Sequence, residues 1–206
     1  VSQGANPRLH AYSYHPSMLI KKTKLTSKWQ RREISNFEYL MALNTIANRT
    51  YNDLTQYPVF PWVIRDYESK KINLDNPSMY RNLSRPIGAQ DDNRLKQLSD
   101  RYSCFVDPNI PPFHFGSHYS SVGTVLYYLI RTEPFTELSI KLQGGSFDLA
   151  DRLFHSIPST WSNIMKASSD CKELTPEWFY FPEFLRNVNN LNLGQKQNKE
   201  ILGDAI

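Results

Sequence analysis

Cysteine is nearly absent: Cys104 and Cys171 are the only two in 206 residues. So sparse a supply argues against a disulfide framework and points to a reducing compartment with buried or incidental thiols. No apolar run approaches the roughly 20 residues that a membrane-spanning helix needs. The start, Val1 to Pro16, lacks the charged-then-apolar pattern of a signal peptide. Gly144-Gly145 is followed by no lysine-serine or lysine-threonine pair, so it is no phosphate loop, and no Gly-x-Ser-x-Gly elbow occurs. There is no internal repeat and no low-complexity tract.

What is present is a globular composition. Hydrophobic residues make up 40% and charged residues 21%, and the length suits one domain with a sizeable core. Aromatics reach 13%, which predicts a core built from rings rather than branched aliphatics. The net charge of +4 is mild but uneven, because Lys21, Lys22, Lys24, Lys28, Arg31 and Arg32 cluster near the start. Such a cluster is either a solvated helix flank or a surface for an anionic partner, a lipid headgroup or an acidic protein face. Trp29 lies within it and reads as core, and no nucleic-acid-binding pattern accompanies the aromatic-basic mixture.

The stretch from Tyr51 to Ile64 carries most information. Pro58 and Pro61 cannot donate to a sheet ladder, yet Val59, Phe60, Trp62, Val63 and Ile64 are too apolar for a solvated loop. The expectation is a buried extended segment whose backbone groups are met by Asn52, Asp53 and Gln56 upstream. A second aromatic-proline run, Trp178 to Pro182, is expected to be extended and buried in the same way.

Between these runs the pattern is helical. Ser35-Asn36-Phe37-Glu38 is a capping box opening a helix to about Asn48, with a shorter turn over Trp29 to Glu33 before it. Asp66 to Ala89 reads as loop and extended chain. Asp91 or Asp92 caps a helix with Leu95, Leu98 and Tyr102 inward. Ser120 or Ser121 starts a helix whose stripe of Val122, Val125, Leu126, Leu129 and Ile130 makes it central. Pro134 opens another, which Gly144-Gly145 ends. Asp148 caps one more to about Ser156, where Pro158 is expected to kink or split it.

Catalytic constellations are weak. His114 and His118 have metal-ligand spacing, but Gly116, Pro111 and Pro112 argue against the helix that would align them. A metal-dependent hydrolase using His114, His118 and Asp148 is the alternative reading. Asp148 and Asp151 read better as a cap and a surface charge than as an acid-base pair. Cys171 has acidic neighbours, Asp170 and Glu173, which disfavour a thiolate. No metal, no cofactor and no catalytic residue is expected.

Several blocks, in order, resemble the BEACH domain of large membrane-traffic proteins. They are Trp29–Ile64, Arg81–Gln90, Phe115–Ser121, Glu133–Thr136, Leu142–Ser156, Lys172–Glu177 and Tyr180–Gly194. Within the BEACH proteins, Ile87–Gln90, Leu142–Ser156, Gly194–Gln197 and Leu202–Asp204 resemble the autophagy-linked FYVE subgroup. The resemblance implies a mostly α fold with irregular extended core segments, α+β-like. It marks Trp29, Asn36, Phe37, Asn52, Asp53, Tyr57, Pro58, Phe60, Pro61, Trp62, His118 and Tyr119 as structural signature residues. It divides the chain into residues 1–26, a linker or the trailing edge of a PH-like domain, and residues 27–206, a BEACH domain lacking its C-terminal part. It implies a non-enzymatic interaction scaffold, cytosolic and peripheral to endomembranes, acting in vesicle and lysosomal traffic and selective autophagy. The implied partners are the PH-like domain and WD-repeat propeller of the parent chain and further traffic or autophagy proteins. Membrane association would be indirect, with no nucleic acid involved. Lys28, Arg31, Arg32 and Glu33 are the implied partner contacts.

Overall fold

The computed structural model describes residues 15–147 and 149–205. Short helices and 3-10 turns dominate, and among the described residues β structure is limited to isolated antiparallel bridges, Phe60 with Leu174, Ile64 with Tyr80 and Gln195 with Ile201. The mostly helical, irregular fold expected from the sequence is what forms. Among the described residues no helix is long and apolar enough to cross a membrane. The chain divides into two compact units, Val1–Pro58 and Val59–Ile206.

The first unit holds α1 (Pro16–Thr23), α2 (Leu25–Gln30) and α3 (Asn36–Ile46). Residues 15–26 of the stretch read as a linker are therefore mostly helical, and residues 1–14 lie outside the described residues. Of the turn expected over Trp29 to Glu33, Trp29 and Gln30 are the last residues of α2, and residues 31–33 form the turn and bend that follow it. The capping box at α3 forms in full: the Glu38 amide donates to Ser35 Oγ at 3.1 Å and the Ser35 amide to Glu38 Oε2 at 2.8 Å. These hydrogen bonds hold the Glu38 carboxyl below its usual range. Ser35→Ala is expected to cost about 1 kcal/mol of stability, read by chemical denaturation. A loss indistinguishable from zero would mean that packing alone sets the start of α3. The helix ends at Ala47 because Asn48 turns left-handed, with φ 59°, sending the Arg49 amide back to the Asn44 carbonyl.

The second unit contains α4 (Asp92–Cys104), α5 (Val122–Tyr128), α6 (Phe135–Leu142), α7 (Ile157–Lys166) and α8 (Glu177–Tyr180). Asp91 caps α4 and Ser121 caps α5. Val125, Leu126, Leu129 and Ile130 are buried as the stripe predicts, so α5 is central. Gly144 and Gly145 end α6 with positive φ. Their amides return to the Lys141 and Ile140 carbonyls, a geometry that asks for glycine.

Rings build the core. Trp62 is fully buried and meets Tyr67, Trp161 and Trp178 at centroid distances of 5.4–5.6 Å. Trp178 extends the cluster to Tyr128, Phe154 and Phe184. Such pairs are worth about 0.5–1.5 kcal/mol each beyond area burial. Arg131 is buried beside them, donating from Nε to the Gly203 carbonyl and from Nη1 to the Phe154 carbonyl. Burial pushes its pKa down to about 10.

Five expectations are corrected. Asn52, Asp53 and Gln56 do not satisfy the buried segment; Asp53 caps the 3-10 turn Leu54–Gln56 by accepting from Thr55. Distant groups do the work: Phe60 and Leu174 exchange backbone hydrogen bonds, Glu173 accepts from the Trp62 amide, and Lys172 from the Trp62 indole. Pro158 does not break a helix but sits in the first turn of α7, where its missing N–H has no partner to lose. Asp148 lies outside the described residues, and a 3-10 turn, Ala150–Arg152, stands where a helix to Ser156 was expected. The Trp178–Pro182 run is not extended: α8 and a 3-10 turn form there, exposing Phe179, Tyr180 and Phe181 while Phe184 is buried. Tyr102 and Trp29 are not core; each is partly exposed and stacked on one ring, His114 and Tyr39 respectively.

Candidate functional site

In the first unit the segment joining α2 to α3 forms an open cavity of about 720 Å³. Trp29, Arg32, Glu33, Ile34, Ser35 and Asn36 line it. Local hydrogen bonding dictates its shape. Arg32 adopts φ 60°, so its amide returns to the Trp29 carbonyl and the Glu33 amide to the Lys28 carbonyl. That closing pattern normally carries glycine at the left-handed residue. An arginine there accepts backbone strain, and such outliers gather at functional positions. Trp29 stacks on Tyr39 at 4.7 Å and its Nε1 donates to Asn36 Oδ1 at 2.7 Å, fixing the indole as a wall.

The charges divide unequally. Arg31 Nε donates to Glu33 Oε1 at 2.7 Å in an exposed ion pair. That bond raises the arginine pKa and lowers that of the carboxyl. Lys28 and Arg32 are exposed, and no carboxylate lies within ion-pair distance of either among the described residues. Basic charge therefore predominates at this site.

The remaining sequence-singled residues scatter. Asn36 and Phe37 lie on α3; Tyr57, Pro58, Phe60 and Trp62 are buried; Pro61 is half-buried; Asn52 is exposed. His114 stacks on Tyr102, and His118 stacks on Tyr119 while its Nδ1 bonds Ser120. Among the described residues no group of three His, Cys, Asp or Glu side chains is placed to hold a metal, and Asp148 lies outside them. Asp151 accepts from the Gln197 amide. Both cysteines are free, and burial foremost, then Asp170, pushes the Cys171 thiol up.

Sequence reasoning missed the pairing of Arg81 with Glu173, at 2.9 Å and nearly buried, which stands beside Trp62. Glu173 lies within the Lys172–Glu177 block, but nothing local marks a carboxylate as buried.

The chain matches the family described as the Beige/BEACH domain over residues 27–206. It belongs to the BEACH domain family. It is 58% identical over 178 residues to BEACH domain-containing protein B of Arabidopsis thaliana, covering 86% of this chain and 7% of that protein. It is 55% identical over 189 residues to BEACH domain-containing protein lvsD of Dictyostelium discoideum, covering 91% of this chain and 6% of that protein. It is 53% identical over 183 residues to BEACH domain-containing protein A2 of Arabidopsis thaliana, covering 88% and 5%. The chain thus spans 5–7% of the length of these BEACH relatives.

Proposed function

We propose that this BEACH domain is a non-enzymatic interaction scaffold of a larger protein in vesicle and lysosomal traffic and selective autophagy, akin to the autophagy-linked FYVE proteins. Its docking surface is the basic segment Lys28, Arg31, Arg32 and Glu33 with the adjoining cavity, and its partner there is an acidic protein face, the PH-like domain of the parent chain first. The observation that carries this reading is Arg32: a charged residue holds a left-handed cap where glycine would be unstrained, and it lines the cavity.

Reversing both charges, Arg31→Glu with Arg32→Glu, is expected to weaken binding of the parent's PH-like domain supplied in trans by about tenfold or more. The melting temperature should stay close to wild type, because both side chains are exposed. Arg32→Gly gives the complementary check: it relieves the backbone, so stability holds or rises while affinity falls. Unchanged affinity in both variants, by calorimetry, would remove this surface from the reading.

A further inference from the structure

A second cavity, of about 330 Å³, lies wholly within the second unit. Arg94, Gln97, Leu98 and Arg101 recur at the spacing of one face of α4 and form one wall. Ser117, Ser168 and Ser169 add hydroxyls, and among the described residues no carboxylate lines the space.

Both guanidinium groups are anchored by neutral carbonyls. Arg94 donates from Nη1 to Ile164 and Met165 and from Nη2 to Ala167, at 2.9–3.3 Å. Arg101 donates from Nη2 to the His114 carbonyl. Each keeps spare donors, since a guanidinium carries five N–H groups. Among the described residues neither has a carboxylate within ion-pair distance, whereas Arg81 is matched by Glu173 and Arg85 by Asp92. Two positioned and unneutralised charges beside hydroxyl donors make a receptor for a compact dianion.

The chain between the end of α4 and the cavity projects apolar side chains into solvent. Val106 is 95% exposed, Ile110 50% and Phe113 40%. Asp107 Oδ1 accepts from the Asn109 and Ile110 amides, and Pro108, Pro111 and Pro112 restrict the backbone. The Arg101 guanidinium sits 5.7 Å from the Phe113 ring centroid, tying the projection to the cavity wall. Phe115, at the projection's far end, lines the cavity and presses on Gly88, where an added Cβ would meet its ring at 2.5 Å. An anion receptor next to rigidly presented apolar side chains matches a bilayer interface, where headgroup phosphate and acyl chains lie together.

We propose that this cavity binds the phosphate monoester of a lipid headgroup, with Val106, Ile110 and Phe113 inserting beside it. The proposal goes beyond the scaffold reading and uses none of its residues. It is tested by co-sedimenting the 206-residue chain with phosphatidylcholine vesicles that carry phosphatidic acid, a phosphatidylinositol monophosphate, or phosphatidylserine at matched charge. The two monoester lipids are expected to raise partitioning about tenfold over phosphatidylserine, which has only a diester. Arg101→Gln and Ile110→Asp should each abolish that gain. Ile110→Asp should still bind soluble inositol monophosphate, and Arg101→Gln should not. If Arg101→Gln fails to fold, Ser169→Glu, an exposed change that places a like charge in the cavity, decides in its place. Equal partitioning onto phosphatidylserine would overturn the proposal in favour of diffuse charge. Binding of a phosphoserine peptide without vesicle binding would overturn the lipid source, and no binding to any probe would overturn the site.

Discussion

Replacing Trp62 with alanine is expected to lower the unfolding free energy by about 3–5 kcal/mol. The indole is fully buried, touches three other rings, and donates from Nε1 to the Lys172 carbonyl at 3.0 Å. Truncation therefore removes a large apolar volume, opens a cavity lined by rigid aromatics, and strands a carbonyl. Aromatic neighbours do not collapse into such a space as readily as aliphatic ones. Trp62→Phe is the milder change: it keeps one ring in the cluster and loses the hydrogen bond with the rest of the indole volume, so its loss should be smaller by about half. Urea denaturation followed by far-UV circular dichroism measures both. A Trp62→Ala loss below about 1 kcal/mol would contradict the central position given to this residue.

Glu173→Leu is the second large effect, also about 3–5 kcal/mol at neutral pH. Arg81 retains 4% side-chain exposure and Glu173 12%, so removing the carboxylate leaves a buried guanidinium without its counter-charge. It also leaves the Trp62 amide without its acceptor. The double variant Arg81→Met with Glu173→Leu should recover part of that loss, because the stranded charge is gone. A double variant as unstable as the sum of the two singles would show that the pair is not coupled.

The same carboxyl predicts a pH dependence. Burial pushes the Glu173 pKa above the ordinary glutamate value, against the opposing pull of Arg81 and the Trp62 amide. The folded state then holds this proton more tightly than the unfolded chain. Stability from this group is fully present below the unfolded pKa and is lost as pH rises through the folded pKa. The stability of the wild type relative to Glu173→Gln should accordingly be greatest in acid and decline as pH rises across that window. The opposite slope would mean that Arg81 outweighs burial.

Helix starts were legible because their chemistry is local. Ser35 and Glu38 lie three residues apart, and Asp91 and Ser121 cap the turns that follow them. The burial of Trp62 was legible from prolines placed beside apolar residues. What satisfies its backbone was not, because Glu173 stands 111 residues away and no spacing rule reaches that far. Pro158 was misread because a proline inside a helix and one in its first turn look alike until the helix start is known. The proposed docking surface was legible as a basic cluster, but the left-handed turn at Arg32 was hidden because that conformation is normally announced by glycine. The cavity at Arg94 and Arg101 escaped notice for another reason: two arginines on one helix face look like solvated charge until the opposing wall is known.

The exchange of backbone hydrogen bonds between Phe60 and Leu174 also imposes an order of events during synthesis. The indole of Trp62 has its acceptor in Lys172, 110 residues later. At about 5–20 residues per second, Trp62 leaves the ribosome roughly 5–20 s before that acceptor does. Through that interval the nascent chain carries a proline-bounded aromatic segment with no sheet or helix of its own to enter. The ring cluster closes only when residues 172–174 emerge, which makes the window before it the time at which a chaperone would be most needed.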